Sequence, residues 1–96
     1  MSRVRTKISV SGLKEAEVAE GLSSFREYIS ARPWLLNPKA DWDDEKNRLD
    51  VTIETEGDDP KLVAEGVFDE VWDCTIAAFD SSGTVSFDIL EAVRVS

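Results

Sequence analysis

Histidine is absent from this 96-residue chain and cysteine occurs once. Without an imidazole there is no Ser-His-Asp or Cys-His nucleophilic system, and the usual zinc sites fall with it. Cys74 cannot close an intrachain disulfide by itself, which fits a reducing cytoplasm, and its expected role is packing. No apolar run approaches the roughly 18 residues that span a bilayer. The opening Met1-Ser2-Arg3-Val4-Arg5-Thr6-Lys7 passes into alternation rather than into a continuous apolar signal core, so the chain is expected to stay in the cytoplasm. Repeats and low-complexity tracts are missing as well.

Positive charge is scarce. Eleven Lys and Arg face twenty Asp and Glu, for a formal charge of -9. Residues 1–32 carry six cations against four carboxylates, net +2, and residues 33–96 carry five against sixteen, net -11. Such a surface is repelled by phosphate backbones and anionic lipid, which excludes nucleic acid and membrane as expected partners and favours basic proteins or cations. At this length one domain spanning 1–96 is expected, burying roughly 65% of the surface its unfolded chain exposes.

What is present is alternation. In Arg48-Leu49-Asp50-Val51-Thr52-Ile53-Glu54-Thr55-Glu56 the residues Leu49, Val51, Ile53 and Thr55 share one face and the charged residues the other, which is a half-buried strand. Val4, Thr6, Ile8 and Val10 alternate with Arg3, Arg5, Lys7 and Ser9 in the same way. Ser11 is placed to cap a helix from about Leu13. Ala19, Leu22, Phe25, Arg26 and Ile29 give that helix its inner stripe, Gly21 is its weak point, and Pro33 ends it. Trp34, Leu35 and Leu36 are expected to plug the end of the core.

Lys39 to Asp43 reads as a short edge strand with Ala40 and Trp42 on one side, turning through Asp44-Glu45-Lys46-Asn47 into the Arg48 strand. Asp59 and Pro60 start a second helix. Its buried face is expected to hold Ala64, Val67, Phe68, Val71, Trp72, Thr75, Ala78 and Phe79, with Lys61, Glu65, Asp69 and Asp73 opposite. Asp80-Ser81-Ser82-Gly83 breaks it, and Val85, Phe87 and Ile89 begin a fourth strand, prolonged by Val93 and Val95.

This series of elements resembles the ferredoxin-like, split βαβ fold over nearly the whole chain. The resemblance implies an α+β βαββαβ sandwich, with two helices on one face of a four-stranded antiparallel sheet of order 4-1-3-2. The first and third strands are then neighbours, and Arg3, Arg5 and Lys7 lie across from Asp50, Glu54 and Glu56 on an open face whose apolar residues are Leu90 and Ala92. Two families with this layout do not fit. Metal-carrying domains have Cys-x-x-Cys after the first strand, where this chain has Gly12-Leu13-Lys14-Glu15-Ala16. RNA-binding domains present outward aromatic rings where this chain has Arg5, Lys7, Thr52 and Glu54.

Among possible sites, Asp41-Trp42-Asp43-Asp44-Glu45 lacks the ordered spacing of a calcium loop, and a solvated edge is the expectation. Trp72 and Trp34 are expected in the core, which leaves Trp42 as the open aromatic. The expected function is a non-enzymatic binding or regulatory module. It recognises a basic protein through Asp41, Trp42, Asp43, Asp44 and Glu45 with Glu65, Asp69 and Asp73 of the second helix. An oligomeric sensor of a small molecule or divalent cation is the alternative, with a homodimer formed through sheet face or strand edge. No cofactor is implied, and because so small a sandwich rarely encloses a cleft, no enzymatic activity is expected.

Overall fold

The computed structural model describes residues 2–79 and 85–95. Its elements are β1 (Arg3–Ser11), a 3-10 turn (Glu15–Glu17), α1 (Val18–Ser30), β2 (Leu36–Asp43), β3 (Arg48–Glu56), α2 (Pro60–Phe79) and β4 (Ser86–Arg94). The break expected at Asp80-Ser81-Ser82-Gly83 lies outside the described residues. All strand pairs are antiparallel, in the order β2-β3-β1-β4. The helices pack on each other, α1 over β2 and α2 over β1, β3 and β4. This is the ferredoxin-like α+β arrangement.

The alternation in β3 decides which side is dry. Leu49, Val51 and Ile53 are almost wholly buried, as are Val4, Ile8 and Val10 of β1. Ile8, Val10, Leu49, Val51 and Ile53 form the floor beneath Phe25 and Ile29 of α1 and Val67, Val71, Cys74 and Phe79 of α2. Gly21 is no weak point. Helix α1 runs unbroken through it, and a Cβ there would overlap the Phe79 ring, so the missing side chain lets the two helices approach.

Several local expectations are corrected. Ser11 remains in the sheet opposite Arg48 rather than capping a helix; Gly12, at φ 91°, turns the chain, and α1 starts only at Val18. Strand β2 begins at Leu36, where Asn37 (φ 47°) and Pro38 make it irregular before it settles into register from Lys39. In β4 the register slips between Lys7 and Ile8, which pair with Glu91 and Ile89 and leave Leu90 as the extra residue of a bulge. Beyond it every side chain changes face. Ala92 therefore falls opposite Thr6 on the inner side, and Val93 opposite Arg5 on the open one.

On the open face Arg3 lies across from Glu56 and Arg5 from Glu54, as the sequence implies, whereas Lys7 meets Thr52 and Asp50 meets Ser9. The ion pairs run elsewhere: Glu91 of β4 lies 3.8 Å from Arg5 and 3.7 Å from Lys7. Asp41 and Asp50 are directly opposed, an arrangement that repels, and each has its own arginine, Arg26 at 3.7 Å and Arg48 at 2.8 Å.

Candidate functional site

The acidic residues singled out in the sequence are not brought together. Asp41 to Glu45 sit on the outermost strand β2 and its turn, below α1, while Glu65, Asp69 and Asp73 lie on α2, which covers the other end of the sheet. Most of the hairpin group has local work. Oδ1 of Asp43 accepts hydrogen bonds from the backbone N–H groups of Glu45 (3.0 Å) and Lys46 (3.2 Å), which fixes the turn. Asp41 pairs with Arg26, and Arg26 also donates through Nε and Nη2 to the Ala40 carbonyl at 3.0 and 2.6 Å, tying α1 to the edge strand. Asp44 and Glu45 are exposed.

The tryptophans reverse their expected ranking. Trp42 points inward opposite Leu49 and packs partly buried against the core. Trp72 is 44% exposed, in contact with Phe68 and Phe87 where α2 overhangs the edge strand β4. Trp34 is 54% exposed, and only its neighbour Leu35 plugs the core. A turn closed by the Leu35 N–H to the Arg32 carbonyl at 3.0 Å holds Trp34 out, with Pro33 at the position whose φ it presets.

Trp34 borders the feature that the sequence did not disclose. A cleft of about 270 Å³ opens between the end of the sheet and α2, in a sandwich of a size expected only rarely to enclose one. Trp34 and Leu35 form one wall, and Leu62, Val63, Gly66, Val67 and Glu70 of α2 the other. Thr55 and Glu56 close the end of β3 between them, and a second hollow of about 230 Å³ shares Trp34, Thr55 and Glu56. The indole thus stands between two concavities.

Local sequence explains each wall. Thr55 is the last inward residue of the β3 alternation and sits opposite Val4. Asp59 starts α2, its Oδ1 accepting the Lys61 N–H at 3.0 Å, so Leu62, Val63, Gly66, Val67 and Glu70 recur one turn apart along the helix. Gly66 is one of the lining residues, and a Cβ built on it meets no atom within 4 Å.

Polar groups at the cleft are few and placed. Glu70 is held by Arg32 Nε, and Arg32 Nη1 donates to the Tyr28 carbonyl at 2.7 Å, so the end of α1 clamps this carboxylate. The Thr55 hydroxyl oxygen is shut from solvent without a hydrogen-bond partner, a condition that costs about 1–3 kcal/mol. One turn beyond Glu70, burial pushes the Cys74 thiol above its ordinary pKa against a smaller opposing pull from Arg32, which keeps it protonated and inert. Among the described residues no three Asp, Glu or Cys side chains converge as metal ligands, and no helix is long and apolar enough to cross a membrane.

Two signals for this site stood in the sequence: Pro33 before Trp34 marks a turn, where a large ring is carried outward, and Gly66 interrupts an otherwise strong helix. The tertiary approach of residues 34–35 to 62–70 had no local signal.

No protein-family model matches the chain, and no curated protein is significantly similar to it. Among solved structures, a "putative antibiotic biosynthesis monooxygenase" from Caulobacter crescentus CB15 superposes with a TM-score of 0.55 at 14% identity, over 96% of this chain and 92% of that one. A protein of the same description from Bordetella bronchiseptica gives 0.49 and 14%, over 92% and 96%. At that identity the likeness is one of fold. The expectation of a protein-recognition module is corrected: the acidic surface assigned to that role is split between opposite ends of the sheet, and the Caulobacter protein that shares the fold is named for a monooxygenase rather than for protein recognition. Nor does a fold neighbour of that name support the expectation that the chain has no enzymatic activity.

Proposed function

We propose that this chain is a small-molecule-binding domain that takes a flat, mostly apolar molecule bearing a hydroxyl into the cleft beside Trp34. The supporting observation is that an exposed indole and an apolar lining meet in one concavity, whose lining residue Thr55 carries a hydroxyl oxygen without a partner behind its surface. Small-molecule sites combine apolar walls with a few convergent polar groups in this way. Trp34 offers a ring face for stacking. The carboxylates of Glu56 and Glu70 accept hydrogen bonds and disfavour an anion, while the Thr55 side chain, rotated about χ1, gains the partner it lacks. A cleft of about 270 Å³ is at the small end for ligand sites and suits one or two fused rings.

Screening neutral one- and two-ring phenols by saturation-transfer NMR against the native chain and Trp34→Ala tests this. Transfer to the native chain that disappears in the variant is expected. Equal transfer to both, or to neither, rejects the site.

The name carried by the fold neighbour favours a second reading, in which the bound molecule is oxidised in this cleft. It requires oxygen uptake above the protein-free rate when a binding phenol is supplied in aerated buffer. Binding without uptake leaves the domain a carrier or sensor.

A further inference from the structure

We infer that Gly66 sets the size of the molecule admitted to the cleft; this rests on the ligand-binding reading above and deepens it to a class, two fused rings against one. Helix α2 runs twenty residues, and a glycine in a helix interior weakens it relative to alanine. The other helical glycine, Gly21, has a structural reason in the Phe79 ring seated against it. Gly66 has none of that kind. It is exposed, and a Cβ placed there would meet nothing within 4 Å. Gly66 lines the cleft together with Val63 one turn before it, Glu70 one turn after it, and Trp34 and Leu35 of the other wall.

Any side chain at this position points into open space rather than into packed protein. A methyl trims the volume, and a leucine fills the stretch between α2 and the indole. The half of the cleft nearest Thr55 and Glu56 is untouched by either. A single ring hydrogen-bonded there keeps its place, while a second fused ring collides with the new side chain. Gly66 is thus a specificity-determining residue that acts by leaving room.

The test measures affinity for phenol and 2-naphthol in the native chain, Gly66→Ala and Gly66→Leu, by ligand-observed NMR, with circular dichroism melting on each protein. The expected result is a loss of about tenfold or more in 2-naphthol affinity for Gly66→Leu, less than about threefold for phenol, and an intermediate loss for Gly66→Ala. Unchanged 2-naphthol affinity in both variants overturns the inference and leaves the ligand site standing. Absence of binding of either compound to the native chain overturns the site itself and this inference with it. If Gly66→Leu does not melt cooperatively, Gly66→Ala and Gly66→Ser carry the comparison, with unchanged discrimination between the two phenols as the refuting outcome.

Discussion

The Phe79 ring of α2 occupies the place where a side chain on Gly21 of α1 would begin. Alanine is the better helix former by about 1 kcal/mol, yet here its methyl would force apart two helices packed at interior density. Overpacking of this kind costs about 1–3 kcal/mol. Gly21→Ala is therefore expected to lower stability in urea denaturation by about 1–2 kcal/mol; an increase would show that the ring moves aside freely.

Gly66 predicts the opposite sign for the same substitution. With open space in front of it, Gly66→Ala removes the conformational cost of glycine in a helix and adds no clash. A gain of about 0.5–1 kcal/mol is expected by the same denaturation. Paired with Gly21→Ala, it separates propensity from packing within one protein.

Arg26 is the link from α1 to the edge strand, through two hydrogen bonds to the Ala40 carbonyl. Charge-assisted bonds contribute about 1.5–3 kcal/mol when buried, and about half the side chain is solvated, so Arg26→Ala should cost about 1 kcal/mol. Native-state hydrogen exchange gives the sharper readout: amides of β2 should lose protection while those of β1 and β3 keep theirs. Uniform loss across the sheet would mean that the bond holds the whole fold rather than its edge.

Cys74 gives a pH dependence of defined sign. Burial raises its pKa above 9.0, the ordinary value, so above that pH the unfolded chain releases the thiol proton while the folded chain keeps it. The folded state then binds more protons, and stability falls as pH rises. The contribution is complete below pH 9 and is lost as pH climbs through the folded-state pKa. Unfolding free energies at pH 8, 9 and 10 should decline more steeply for the native chain than for Cys74→Ala; parallel slopes would contradict the thiol's role.

Much of this fold was legible in the sequence because period-two alternation is a direct record of a sheet with one dry side. Leu49, Val51, Ile53 and Thr55 occupy the predicted face, and the capping pair Asp59 and Pro60 begins α2 as read. Legibility failed where the outcome depended on what lay beyond the segment. Trp72 belongs to the inward stripe of α2 by periodicity, but it lies over the outer strand β4, where contact with Phe68 and Phe87 leaves it 44% exposed. A single extra residue, Leu90, changed the face of Val93 without leaving a mark in the pattern. The cleft was hidden for a related reason, since its walls are more than twenty residues apart in the chain.

A small aromatic molecule seated against Trp34 is reported directly by the three indole N–H resonances of the chain. A ¹⁵N-labelled sample titrated with 2-naphthol should move the Trp34 indole signal and the Gly66 amide with one saturation curve, at a dissociation constant of about 0.1–1 mM for a ligand of this size. The Trp42 and Trp72 signals should stay in place. Movement of Trp72 without Trp34, or of no indole at all, would contradict the account.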